Sequence, residues 1–122
     1  MQYLLLIYGA PGAGPEPGSA EAQAEFGRWF AYTDELQKAG VYVGGNPLQD
    51  NDTATSVRVR DGERLVTDGP FAETKEHLGG YYLIDVPDLD TAVDWAGKMP
   101  NITYGTVEVR PIMEIPAGMP SA

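Results

Sequence analysis

At 122 residues the chain has the size of one domain that can bury its own core without covalent staples. It contains no cysteine, which excludes disulfides, zinc-cysteine and iron-sulfur sites and thiol nucleophiles, and fits a reducing, cytoplasmic setting. Acidic residues outnumber basic ones 18 to 8 for a formal net charge of −10, so the long-range field repels phosphate backbones and anionic lipid, and direct nucleic-acid or membrane binding is not expected.

Residues 2–8 are almost continuously apolar and aromatic and end at Gly9 and Pro11, too short for a membrane span and without a basic leader, which predicts a strand covered on both faces. Gly9 to Gly18 is nearly all Gly, Ala and Pro and reads as a mobile loop; it lacks the Gly-Lys-Ser/Thr ending of a P-loop. Ser19 is a helix cap, and Ala22, Phe26, Trp29, Phe30, Thr33 and Leu36 recur at helical spacing up to Lys38 and Gly40. Val41-Tyr42-Val43 predicts a second strand that Gly44-Gly45-Asn46-Pro47 breaks or bulges.

Thr55 to Arg60 alternates, with Val57 and Val59 on one face, and Asp61-Gly62 before Arg64–Thr67 is a two-residue hairpin signal. After a turn-rich stretch from Asp68, residues 80–86 form a further strand, and Pro87-Asp88 opens a second helix with Leu89, Ala92, Val93, Ala96 and Met99 as its apolar stripe and Pro100 as its stop. Thr106 to Glu114 is the last strand, at an edge because of Pro111. One domain over residues 1–115 with a loose tail at 116–122 is expected.

The order is strand, helix, strand, hairpin, strand, helix, strand. It predicts an α+β fold of ferredoxin-like type: βαβ repeats with an inserted hairpin, an antiparallel sheet and two helices on one face. Helices on one face leave the other bare, although strand one is apolar on both sides, so a second copy packed sheet to sheet is the expected cover. A homodimer follows.

Asp68-Gly69-Pro70-Phe71-Ala72-Glu73-Thr74-Lys75-Glu76, followed by Leu78-Gly79-Gly80-Tyr81-Tyr82, resembles the signature of the DGPF group of the YciI-related family. The likeness extends to Gly44-Gly45, Thr53-Ala54-Thr55, Val93-Asp94-Trp95-Ala96 and Glu108-Val109-Arg110-Pro111, nearly the whole chain. It implies a dimeric α+β barrel with a small-molecule pocket in which an acidic residue does acid-base work. It also implies that some members accompany alternative sigma factors of the extracytoplasmic-function type. A His-Asp pair discussed for relatives would place its Asp at Asp68, but the one histidine, His77, lies beside the motif rather than in strand one or helix one.

Two readings stand for each candidate residue. Asp68 before Gly69-Pro70 is either a turn residue bonding forward to backbone N–H groups while Phe71 plugs the core, or an acid-base catalyst. Glu73 and Lys75 either assist it or belong, with Glu76, to a solvated charged run. Arg28, Tyr32, His77 and Tyr82 are the candidate substrate contacts; Tyr81 and Tyr82 point to opposite faces, so only one of them can meet a given pocket. With one histidine and no cysteine, no metal-ligand spacing is present, and no cofactor is expected. The function so implied is cofactor-independent acid-base chemistry on a small molecule, or else ligand binding and regulation through protein contact.

Overall fold

The computed structural model describes residues 1–118. In chain order the elements are β1 (Gln2–Gly9), α1 (Ala20–Lys38), β2 (Tyr42–Pro47), a 3-10 turn (Asn51–Thr53), β3 (Thr55–Arg60), β4 (Glu63–Asp68), β5 (His77–Asp85), α2 (Leu89–Ala96) and β6 (Thr106–Pro111). The main sheet has the order β2-β5-β1-β6 and every pairing in it is antiparallel, the ferredoxin-like arrangement. The inserted hairpin, β3 with β4, forms a separate two-stranded sheet. Among the described residues no helix is long and apolar enough to cross a membrane.

Register fixes the two faces of the main sheet. Tyr3 lies opposite Ile84 and Leu5 opposite Tyr82 and Val109, and these side chains meet the helices. Leu4 opposite Leu83 and Leu6 opposite Tyr81 point to the other side. The buried cluster joins Tyr3, Leu5, Ile84 and Val86 from the sheet side to Tyr32 and Leu36 of α1, Ala92 of α2 and Met99 beyond it. Both helices thus lie on one face. They are tied to each other by the Tyr32 hydroxyl, which donates to the Trp95 carbonyl at 2.8 Å, with the two rings edge to face.

Local signals set the element ends. The Ser19 hydroxyl accepts from the Ala22 N–H to start α1, and the Asp88 carboxylate accepts from the N–H and hydroxyl of Thr91 to start α2. Asp61 and Gly62 both take positive φ, 52° and 77°, as a two-residue hairpin turn requires.

Several expectations are corrected. Phe26 and Phe30 are 65% and 66% exposed, because the buried line of α1 runs through Tyr32 and Leu36 while these two border an open cavity. On α2 the inward side carries Ala92, Trp95 and Ala96, with Met99 buried just beyond the helix; Leu89 and Val93 face out. Of the break or bulge expected in β2, the structure has the second: the strand runs on to Pro47 with a bulge-like register shift between Tyr42 and Gly44. β5 starts three residues earlier than expected, at His77, and ends at Asp85; β6 stops at Pro111, although the Ile112 N–H still donates to Gln2. The expected tail falls partly outside the described residues.

Burial holds the Tyr32 phenol well above its ordinary value of 10, with smaller pushes from Tyr82 and Glu35. The folded state therefore keeps the proton that the unfolded chain releases near pH 10. This contribution to stability is whole below pH 10 and fades as pH rises from there towards the folded value. Tyr32→Phe should cost about 1–2 kcal/mol at pH 7 through the lost hydrogen bond. It should also flatten the fall in stability between pH 9.5 and 11, as read by urea unfolding; a slope equal to wild type would refute the assignment.

Candidate functional site

A cavity of about 650 Å³ opens between α1 and the β2-β5-β1 part of the sheet. Its inner wall is aromatic. Tyr82 stacks on Trp29 at an interplanar angle of 16° and meets Tyr32 and Tyr42 edge-on, and its hydroxyl shares a hydrogen bond of 2.5 Å with that of Thr33. Burial first of all raises the Tyr82 phenol above its ordinary value, so it stays a neutral hydroxyl at physiological pH.

The Tyr82 ring lies where it does because Gly45 faces it across the β2-β5 pair. A Cβ at residue 45 would stand 2.8 Å from both the Tyr82 ring and the Tyr81 carbonyl oxygen. Gly79 and Gly80 also line the cavity, so this stretch of β5 contributes backbone and little side chain to its boundary. Phe26 and Phe30, one turn apart on α1 with ring centroids 5.1 Å apart, complete the apolar surround.

Polar groups ring this wall, among them Asn46 near the end of β2 and Gln49, Asp50 and Asn51 on the segment after it. His77 is half-buried at the start of β5, opposite Gly9 in the register, and lines the cavity. Asn101, 5% exposed, donates weakly from Nδ2 to the Tyr8 carbonyl at 3.4 Å. The Tyr104 hydroxyl donates to the Glu25 carboxylate at 2.6 Å, while Gly14 of the loop after β1 packs against the Tyr104 ring. Burial and then Glu25 push the Tyr104 phenol upwards, against a smaller opposing pull from Arg28.

The residues singled out by sequence are dispersed. His77 and Tyr82 line the cavity. Tyr32 is a core residue, 3% exposed, behind the wall rather than at a ligand's surface. Arg28 lines a separate, more polar depression with Glu21, Glu25 and Tyr104. Asp68 ends β4 opposite Thr55, and with Glu73 and Lys75 it is exposed and does not line the cavity.

The forward-bonding turn expected of Asp68 is replaced by backbone closure: the Gly69 N–H donates to Ala54 and the Ser56 hydroxyl to the Gly69 carbonyl. Phe71 is 78% exposed and plugs nothing within the chain. Glu76 accepts from the Thr106 hydroxyl at 3.0 Å, tying the end of the motif to β6. Sequence reasoning assigned Phe26, Phe30 and Thr33 to a core stripe, and Asn101 and Tyr104 to no role. The helical spacing held the signal for the first group; the others reach the cavity through long-range packing alone. Among the described residues no three histidine, cysteine or carboxylate side chains converge as metal ligands.

The arrangement is an aromatic slot with one imidazole, one carboxylate (Asp50) and several neutral hydrogen-bonding groups. It suits a flat, uncharged or weakly charged molecule. Gly45→Ala should force Tyr82 off Trp29, lowering stability by about 1–3 kcal/mol and altering the near-ultraviolet circular dichroism of the aromatic wall. An unchanged spectrum would show that the glycine does not set the ring's position.

An uncharacterized protein of Rhizobium meliloti (strain 1021) is 48% identical to this chain over 71 residues, 56% of this chain and 57% of the relative, so the chain spans just over half the length of that curated relative. Among solved structures, the 5-chloro-2-hydroxyhydroquinone dehydrochlorinase of Burkholderia phenoliruptrix AC1100, in complex with 2,5-dihydroxybenzoquinone, is similar with a TM-score of 0.52. That likeness covers 93% of this chain and 94% of the other at 13% identity, a similarity of fold. The sequence profile of the YCII-related domain matches residues 1–116, and the chain belongs to that family.

Proposed function

We propose that the protein is a homodimer that takes a flat hydroxylated aromatic or quinone-like molecule into the cavity between α1 and the sheet. There it carries out cofactor-independent acid-base chemistry. The observation that carries this reading is the Trp29-Tyr82 wall flanked by Phe26 and Phe30 around about 650 Å³, a volume in the range of small-molecule sites. A planar ring gains from such faces, whereas an aliphatic acid would gain little and would meet no lysine or arginine among the lining residues. The dehydrochlorinase of similar fold holds a dihydroxybenzoquinone, a molecule of this shape.

Two lining groups can give and take a proton, His77 and the Asp50 carboxylate, and His77 is assigned the acid-base role. Asp68, Glu73 and Lys75 stand on the segment leading into His77 and assist it only if another chain or a loop movement brings them to the cavity. The homodimer is supported by the open face of the sheet, where Leu4, Leu6 and Leu83 lie side by side without a covering helix.

Ligand-observed NMR against dihydroxybenzenes, hydroxyquinones and aliphatic acids as controls tests the substrate class. Binding of the cyclic compounds alone is expected, weakened at least roughly tenfold by Trp29→Leu. Equal binding of the aliphatic acids would overturn the reading. For a ligand that turns over, His77→Gln should bind within about threefold of wild type and lose roughly 10²–10⁴ in kcat. Turnover at the wild-type rate would remove His77 from the chemistry, and binding without any turnover would make the cavity a sensor site.

A further inference from the structure

A hydroxyl has one proton to donate, and Thr33, Tyr82 and Tyr104, which all line the cavity, have theirs engaged within the protein. The Thr33 hydroxyl donates to the Trp29 carbonyl one helical turn back at 3.0 Å, where the carbonyl can only accept. Its single proton is then committed. The 2.5 Å bond between Thr33 and Tyr82 must therefore be donated by the Tyr82 phenol. Tyr82, half-buried on the cavity wall, is left with a lone pair and no proton to give.

Tyr104 is in the same state, because the Glu25 carboxylate that it meets at 2.6 Å only accepts. Asn101 adds a further acceptor. Its Oδ1 is buried and, among the described residues, has no hydrogen-bond partner, while its Nδ2 is turned to the Tyr8 carbonyl at 3.4 Å. That carbonyl fixes the sense of the amide, since two oxygens facing each other would repel. Gly105 leaves the space for this arrangement: a Cβ there would stand 2.5 Å from the Tyr8 carbonyl oxygen and 2.9 Å from Nδ2. A buried acceptor without a donor costs free energy until a donor reaches it. The Gln49 amide, which brings donors to the lining, is exposed and is served by water.

We infer that Thr33 sets the specificity of the cavity: by taking the Tyr82 proton it makes the aromatic wall an acceptor, so the site selects flat rings that carry an O–H group, phenols and hydroquinones, over rings of the same shape that carry only carbonyl oxygens. A phenol donates to the Tyr82 oxygen and extends the chain through Thr33 to the Trp29 carbonyl, each bond polarising the next. A quinone carbonyl meets the same oxygen lone pair to lone pair. Tyr82 can turn its proton outwards only by giving up Thr33. Thr33 acts through Tyr82 and is a positioning residue. The inference rests on the proposed reading that the cavity takes a flat ring, and narrows that reading to the reduced, hydroxylated form.

The test is an NMR titration with hydroquinone and with two rings of similar size that lack an O–H, para-benzoquinone and para-difluorobenzene. Wild type should bind hydroquinone at least roughly tenfold tighter than either. Thr33→Val keeps the branched shape and frees the Tyr82 proton, so the preference for hydroquinone over para-benzoquinone should fall below about threefold. Thr33→Ser restores the hydroxyl and should restore the preference. A loss of packing alone would weaken all three ligands together, so an unchanged preference in Thr33→Val would overturn the inference. Equal binding of hydroquinone and para-benzoquinone by wild type would overturn it too, while leaving the flat-ring site standing. Binding of none of the rings would overturn both.

Discussion

The packing of Tyr82 over Gly45 is the contact on which the rest of the structure turns. With no Cβ at residue 45, the Tyr82 ring lies flat across the β2-β5 pair, reaches Trp29 face to face, and brings its hydroxyl to Thr33 on the same helix. Tyr32, edge-on to the same ring, then carries the connection to α2 through the Trp95 carbonyl. One aromatic array thus fixes the height of α1 above the sheet and the spacing of the two helices. The wall of the cavity is the outer surface of the core and shares its rigidity.

The cavity exists because packing is full at one end of this helix-sheet layer and empty at the other. Towards Ile84 and Leu36 both layers supply large side chains. Towards Gly79 and Gly80 the sheet supplies almost none, while α1 still presents Phe26 and Phe30, which have nothing beneath them to bury against. The binding slot is therefore a consequence of glycine placement in two neighbouring strands. Its chemistry is set by what remains at the edges: the His77 imidazole, the Asp50 carboxylate, the Tyr82 and Tyr104 phenols held upwards by burial, and side-chain amides.

Apolar surface is left elsewhere too: Val57, Val59 and Val66 are exposed on one side of the ribbon, and Leu4, Leu6 and Leu83 are half-buried on the sheet face away from the helices. The family signature begins at Asp68, at the end of the ribbon's second strand.

Much of this was legible in the residues. The caps at Ser19 and Asp88, the Asp61-Gly62 turn, the alternation of Val57 and Val59 and the opposite facing of Tyr81 and Tyr82 are events within a few residues, governed by backbone geometry and short-range hydrogen bonds. The order of elements then left the ferredoxin-like sheet as the plan, and the signature gave the family. Of the residues named from sequence as substrate contacts, His77 and Tyr82 line the cavity, while Phe26, Phe30, Leu89, Val93 and Phe71 were misplaced as core. A helical stripe wider than its contact leaves open which side chains touch the neighbour. That depends on where the adjacent strands hold glycine and on how far the helix overhangs them. The sequence by itself thus determined the elements, their order and the family; only the tertiary structure decided which aromatic residues became core and which became a pocket, because that choice is made by the opposing layer.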